Sequence, residues 1–561
     1  MKRILAILMT ISLALGIFAV NASALELDLN LSIPSAQDIV GERETGLYVK
    51  ANPKEGLDFP VTVTSDVTAL GLVLYLPGSA NANKLCFSWN DKNLTVSRNG
   101  KTYESGKAPI AAPGKSISYT LKNGVQVSEL TIRTMQGSPR VEAMSLTVDE
   151  RKGTIQAMNS DADHETSCYG KVLFHGKDKY MSIKGRGNST WIMPKKPYNI
   201  TIYDDAKYES KDKVQFIDGV KTNKWALTAN YLDNSLLRNK LAMDLAKDMG
   251  IGLDSVFIDV WMNGEYLGNY LLTPKKEWEV KDGGYQLEND NYVEPEGQFK
   301  IPGMFEIDSI PGVSILGSGY HNRMTITEVG DDAKAAGLTN KNIKKHFLKG
   351  WDALLDYDSE EYQKYFDLDS WAKMFLMYEV SKTYDCYAGS LMMHRDGLTA
   401  KDKLIAGPAW DYDVSFGRTL HKFFVGVSEP MQVNAEGWYN DSIGLELPDE
   451  PVSLLQEFGK HKSFMQRVAK VYKEYQWAFH DLSDNVTRQH KLLKKSAAMN
   501  NVRWSTHLLG AEYVVAPNTM AALGTGKYQL HYEVTTTWSS YCRNLREYCN
   551  KRVLWLTDHL T

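Results

Sequence analysis

The stretch IKGRGNSTWIMPKKPYNI, residues 183–200, sets two glycines, an arginine, three lysines and a tryptophan between apolar residues. So much positive charge beside so flexible a backbone has two uses. It cradles an anion such as a phosphate, or it turns a tight corner on a charged surface. Tyr180 to Lys184 reads as a strand, and Lys196 to Tyr203 alternates as a second one, so the segment is predicted to connect two strands. It completes neither phosphate fingerprint. A dinucleotide loop needs glycine where Thr190 stands, and no G-K-[ST] follows.

Upstream, Leu25 to about Met144 alternates short β-rich runs with turns, as in FPVTVTSDVTALGLVLYL, SISYTLKNGVQ and SELTIRT. The spacing predicts an all-β sandwich, with Asn99-Gly100 and Asn123-Gly124 as hairpin turns. Residues 25–144 are expected to form an accessory domain that folds alone when cut near Met144, a candidate for binding glycan or cell wall. Ahead of it, Lys2 and Arg3 precede an apolar run from Ile4 to Val20 and then Ala22-Ser23-Ala24. Residues 1–24 read as a secretory signal peptide, and the mature chain is expected to be secreted or held at the cell surface. After signal cleavage no stretch is long and apolar enough to predict a membrane span.

The 561 residues suit two or three domains, and 43% hydrophobic content can build sizeable cores. The formal charge of -4 becomes -6 once Lys2 and Arg3 leave, which gives no general attraction to nucleic acid or to acidic membrane. Any anion site must be local. Five cysteines, widely scattered, form no disulfide framework and show no metal-ligand spacing.

Downstream the sequence is mixed. Asp233-Asn234-Ser235 is predicted to cap a helix whose stripe is Leu237, Leu241, Leu245 and Met249, with Gly250 closing it. Val256 to Met262, Asn263-Gly264 and Glu265 to Leu272 predict a β-hairpin. From about residue 340 the pattern turns helical, over Trp351–Leu355, Trp371–Ser381, Val452–Gln476 and Tyr541 onward. One piece interrupts it, KTYDCYAGSLMMHRDGLTAKDKLIAGPAWDYDVSFGR at 382–418, in which Asp385, Asp411 and Asp413 bracket a predicted hairpin.

RGNSTW with KKPY, KWALTANYLDNSLLRN, NGEYLGNYLL and GPAWDYD occur in that order between Met144 and Arg418. Together they resemble the spore-coat CotH family of atypical protein kinases. The resemblance implies an α+β chain: the β-sandwich, then a divergent protein-kinase-like domain over residues 145–561 with a helical C-terminal part. It also implies transfer of the ATP γ-phosphoryl group to serine or threonine hydroxyls of proteins, with Mg²⁺ or Mn²⁺.

Phosphoryl transfer needs cations and backbone N–H groups on the phosphates, a carboxylate at the attacking hydroxyl, and carboxylates for metal. Arg186, Lys195, Lys196 and Arg238 are the candidate phosphate cations, with Lys196 and Arg238 favoured because both lie in motifs of the resemblance. Glu306, in MFEID, is a candidate partner for a phosphate-binding lysine. Asp385 is the candidate catalytic base, and Ser390 stands five residues on, where the pattern has a metal-binding asparagine. Asp411 is the expected principal metal ligand and Asp413 a second or supporting one. His394-Arg395-Asp396 spells the conventional kinase tripeptide, but Lys401 stands where its asparagine belongs, so it reads as a hairpin turn. Two function classes stay open. One is an exported kinase acting on Ser/Thr residues of surface or extracellular proteins; the other is a non-catalytic binding protein that keeps the scaffold.

Overall fold

The computed structural model of the chain describes residues 46–66, 71–187, 190–191, 193–231, 233–275, 281–289, 298–300, 306–307, 320–321, 323–383, 390–418, 434–442, 454–504 and 537–561. The expected signal peptide and Asp385 lie outside these residues. The fold is α+β.

Among the described residues nine strands come first: β1 (Tyr48–Val49), β2 (Val61–Asp66), β3 (Gly71–Leu76), β4 (Cys86–Ser88), β5 (Leu94–Arg98), β6 (Lys101–Tyr103), β7 (Ala108–Pro109), β8 (Ser116–Asn123) and β9 (Gln126–Gln136). They are hydrogen-bonded in the order β6-β5-β8-β9-β3-β2-β1-β4-β7. Val61 and Thr62 of β2 pair with β1, whereas Val63 to Asp66 pair with β3, so β2 changes partner partway along its length. The core beneath contains Leu74, Phe87 and Val96, and also Trp261, Tyr266 and Met499 from far along the chain. Thr62 seals the contact, its backbone N and Oγ1 both donating to Gly264 O, at 2.9 and 3.2 Å.

A closed barrel follows, from β10 (Glu142–Val148), β11 (Ser167–Phe174), β12 (Lys177–Gly185), β13 (Tyr198–Tyr203), β16 (Lys224–Thr228), β17 (Val256–Met262) and β18 (Glu265–Pro274). A small hairpin of β14 (Val214–Ile217) and β15 (Val220–Thr222) stands apart. β10 closes the barrel by pairing parallel with β17, Glu142 opposite Ile258 and Leu146 opposite Met262. Since β10 runs across residue 144, the boundary expected near Met144 falls inside a barrel strand. The β17–β18 hairpin turns through Asn263 and Gly264, with φ of 48° and 88°, as two-residue turns of this kind require. α1 (Ile155–Ser160) and α2 (Arg238–Asp248) lie in the barrel's connections.

A second sheet joins β19 (Tyr285–Asn289), β20 (Gln298–Lys300), β23 (Arg323–Val329), β24 (Leu391–Arg395) and β25 (Ile405–Ala406) in the order β20-β23-β19-β24-β25. Among the described residues β21 (Glu306–Ile307) pairs with β22 (Tyr320–His321). Helices α3 (Asp331–Ala335), α4 (Asn340–Leu354), α5 (Leu368–Ser381), α6 (Tyr439–Ser442), α7 (Leu454–Gly459), α8 (Lys462–Trp504) and α9 (Trp538–Leu560) complete the fold. α4, α5 and α7 to α9 contribute with α2 to one large apolar core. α9 is bolted to α5 by a fully buried pair, Arg552 Nη2 to Glu379 Oε2 at 2.8 Å, whose carboxylate also accepts from Tyr439 N and Asn440 N. Among the described residues no helix is long and apolar enough to cross a membrane.

Candidate functional site

The opening segment folds as the connection from β12 to β13. Its two glycines serve different needs. The Trp191 ring lies where a Cβ on Gly185 would stand, while Gly187 takes a φ of 81° that disfavours other residues. Arg186 N donates to Pro197 O at 3.3 Å, which brings Arg186 beside the Lys196–Pro197 step. Trp191 is fixed from below, its Nε1 donating to Asp161 O at 2.7 Å.

The adjacent lysines part company. Lys195 is wholly buried, and its ammonium donates to Ala229 O and Asn500 Oδ1, each at 2.7 Å, and to Asn269 O. Burial pulls its pKa well below the ordinary lysine value. It pins the barrel to α8. Lys196 is half-buried, its Nζ 4.9 Å above the Trp191 ring and donating to Trp191 O. Burial lowers it to about 8, and no carboxylate of the described residues pairs with it. Tyr270 OH holds its carbonyl at 2.9 Å.

The GPAWDYD segment is held on every side by backbone bonds. Gly407 N donates to Met392 O at 2.8 Å, Ala409 N to Ile251 O at 2.9 Å and Phe416 N to Ser381 O at 2.6 Å. Tyr412 N donates to Asn239 Oδ1 at 2.7 Å. Between these ties Asp411 is half-buried with a φ of 67°, and Asp413 is buried. Burial, then the neighbouring Asp411 charge, pushes the Asp413 carboxyl up to about 7. The basic turn reaches this segment directly. Arg186 stacks on Trp410, guanidinium carbon to ring centroid 5.2 Å.

Arg238, expected as a phosphate cation, has its guanidinium in the core, fully buried. Nη1 donates to Asp233 Oδ1 at 2.6 Å and Nε to Ser415 O at 2.8 Å. Burial raises the Asp233 carboxyl, but the Arg238 charge and hydrogen bonds outweigh it and leave the group below the ordinary carboxylate value. Ser390 precedes β24 with a φ of 56°, two residues before Met392, whose carbonyl holds Gly407. Glu306 pairs through its backbone with His321 in β21–β22, and its side chain, like Asp385, lies outside what the structure describes. His394-Arg395-Asp396 closes a turn: Arg395 donates to Thr399 O at 2.6 Å and Asp402 O at 2.9 Å, and Asp396 pairs with Lys281.

The arrangement thus joins Arg186, Asp411 and Asp413 through Trp410, and it brings in Asn239, which sequence reasoning did not single out although it stands beside Arg238 in LLRN. Among the described residues no group of three or more His, Cys, Asp and Glu side chains is placed to hold a metal. Asp411 and Asp413 are the carboxylates this segment offers, and their oxygens are of the chemical type a hard divalent cation takes; burial, then the Asp411 charge, raises the Asp413 carboxyl to about 7.

The sequence profile of the CotH kinase protein family matches residues 183–556. Inner spore coat protein H of Bacillus subtilis (strain 168) is 24% identical over 251 residues, covering 43% of this chain and 60% of the relative's length. The profile match takes in the basic turn, α2, the β17–β18 hairpin, the Asp411–Asp413 segment and most of α9, well over half the chain, and the chain therefore belongs to the CotH kinase protein family.

Proposed function

We propose that this chain is an exported, kinase-like phosphotransferase that moves the γ-phosphoryl group of ATP to serine or threonine hydroxyls of surface or extracellular proteins, with Mg²⁺ or Mn²⁺. The observation that carries the reading is the stack of Arg186 on Trp410, which draws the basic turn against the Asp411–Asp413 segment. An arginine of the basic turn and the residue before Asp411, distant in the sequence, are in contact, which is in keeping with the pairing of cations and carboxylates that phosphoryl transfer requires. Arg186 and Lys196 take the phosphate oxygens; Lys196 suits that work because its charge has no carboxylate partner among the described residues. Asp411 and Asp413 hold the divalent ion, which when bound neutralises charge on the phosphates. Asp385 orients the acceptor hydroxyl and takes its proton as the new O–P bond forms and the bond to the ADP leaving oxygen breaks. The N-terminal sheet is a site of attachment to glycan or cell wall, and the name of the spore-coat relative is in keeping with a surface location.

A second reading, a binding protein without transfer, is favoured by Ser390. A serine hydroxyl stands where the kinase pattern places an asparagine, and it is a poorer metal ligand. The two readings separate by calorimetry and labelled γ-phosphate incorporation into a serine-rich protein. Asp411→Asn is expected to abolish metal-dependent ATP binding and transfer together. Asp385→Asn is expected to leave binding near normal and to lower transfer by at least about 10²-fold. Binding of ATP with no transfer to any acceptor selects the binding protein, and full activity of both variants removes the proposed site.

A further inference from the structure

We propose that Arg238 and Asn239, the first two residues of α2, are positioning residues that set Asp411 and Asp413 for the divalent ion by gripping the backbone on either side of Asp413; this rests on the phosphotransferase reading. The grip has two points. Tyr412 N, between the two aspartates, donates to Asn239 Oδ1 at 2.7 Å, and Ser415 O, two residues past Asp413, accepts from Arg238 Nε at 2.8 Å. Both side chains are themselves held. Asn239 Nδ2 donates to Asn230 Oδ1 at 2.9 Å, which turns the amide so that its oxygen faces Tyr412. Asp233 secures Arg238 twice, through Nη1 at 2.6 Å and through the backbone N at 2.8 Å, while Ser235 Oγ adds a bond to Asp233 Oδ1 at 2.7 Å.

All five side chains, Asn230, Asp233, Ser235, Arg238 and Asn239, are buried. The ANYLDNSLLRN run is therefore a bracket for the GPAWDYD segment rather than a set of ligands. The bracket has work to do because Asp411 adopts a left-handed φ of 67°, which an unsupported aspartate rarely keeps. It also fixes the backbone on both sides of Asp413, at Tyr412 N before it and at Ser415 O after it. Partners that orient ligands in this indirect way commonly change metal affinity by about 10- to 100-fold when removed.

The test is titration of Mn²⁺ alone into the mature chain by calorimetry, beside thermal melting. Asn239→Ala deletes one grip. The paired change Asp233→Leu with Arg238→Met deletes the other without leaving a lone buried charge. Each is expected to weaken Mn²⁺ binding by about tenfold or more while melting remains cooperative, and excess Mn²⁺ is expected to restore turnover, so that the metal requirement shifts and kcat does not. Unchanged Mn²⁺ affinity in both variants overturns the positioning role and leaves the phosphotransferase reading standing. Loss of cooperative folding in both assigns these residues to core stability and overturns it too. Absence of Mn²⁺ binding by the unmutated chain removes the phosphotransferase reading and this inference with it.

Discussion

The Arg186 guanidinium carbon lies 5.2 Å from the ring centroid of Trp410, and that stack ties the turn after β12 to the residue immediately before Asp411. Arg186→Ala removes both the stack and a phosphate cation. It is expected to weaken ATP binding by about tenfold and to cost about 0.5–1 kcal/mol of stability. Arg186→Lys keeps the charge but loses the planar contact, so it separates the two contributions: calorimetry with ATP and Mn²⁺ is expected to place it between the alanine variant and the unmutated chain. Equal ATP affinity in all three would remove Arg186 from the site.

Lys196 supplies a pH dependence whose sign is fixed. Burial lowers its ammonium to about 8, below the ordinary value of 10.5, so the folded state holds this proton less tightly than the unfolded chain. Its contribution to stability therefore rises with pH between about 8 and 10.5 and is constant below. ATP needs the charged form, so affinity is expected to be flat below pH 8 and to fall as pH rises beyond it. Lys196→Met is expected to bind weakly at every pH, without that fall. Measuring the dissociation constant from pH 6.5 to 9.5 checks it; a slope that survives the substitution assigns the titration elsewhere.

The N-terminal sheet shares its core with the barrel. Phe59 meets Trp261 at 5.4 Å, and Tyr75 meets Tyr266 at 4.8 Å, ring centroid to centroid. A fragment ending at Met144 loses the Trp261 and Tyr266 rings and Met499, and it cuts β10 partway. It is expected to bind a hydrophobic dye and to melt without cooperativity, and Trp261→Ala in the whole chain is expected to cost about 3–5 kcal/mol. A sharp, dye-free melt of the fragment would show that the sheet closes its own core.

What was legible in the sequence is what local chemistry determines. Asn263-Gly264 between two alternating runs specifies a hairpin, and the apolar stripe marks α2, although the helix starts at Arg238 with Leu237 at its N-cap rather than at Asp233–Ser235; Asp233 reaches forward to accept from Arg238 N at 2.8 Å. Barrel closure was not legible, because Glu142–Leu146 lies beside Ile258–Met262 through a parallel pairing that leaves no local signal. Lys195 and Lys196 look alike in sequence, yet one is fixed by Asn500, 305 residues away. Arg238 read as a phosphate cation because a charge in a motif suggests a ligand; its guanidinium is buried and donates to Ser415 O, 177 residues away. The long α8 read as ending near Gln476 because its apolar stripe changes partner along its length, from α5 to the barrel strand β18.

Ser390 offers the sharpest comparison between the two functional readings, since backbone and ligand chemistry there ask for the same residue. Its φ of 56° lies in the left-handed region, where asparagine is enriched and serine is not. An asparagine carbonyl is also the better oxygen donor to Mg²⁺ or Mn²⁺. Ser390→Asn is therefore expected to raise stability by about a few tenths of a kcal/mol and to increase both Mn²⁺ affinity and phosphate incorporation several-fold. Ser390→Gly is the control: it relieves the same backbone without adding a ligand, so it is expected to match the stability gain and leave Mn²⁺ affinity unchanged. If asparagine and glycine behave alike in the metal titration, residue 390 does not face the ion and its effect is conformational. If asparagine alone strengthens Mn²⁺ binding but no phosphate is transferred, the metal site is real and the chain works as a binding protein.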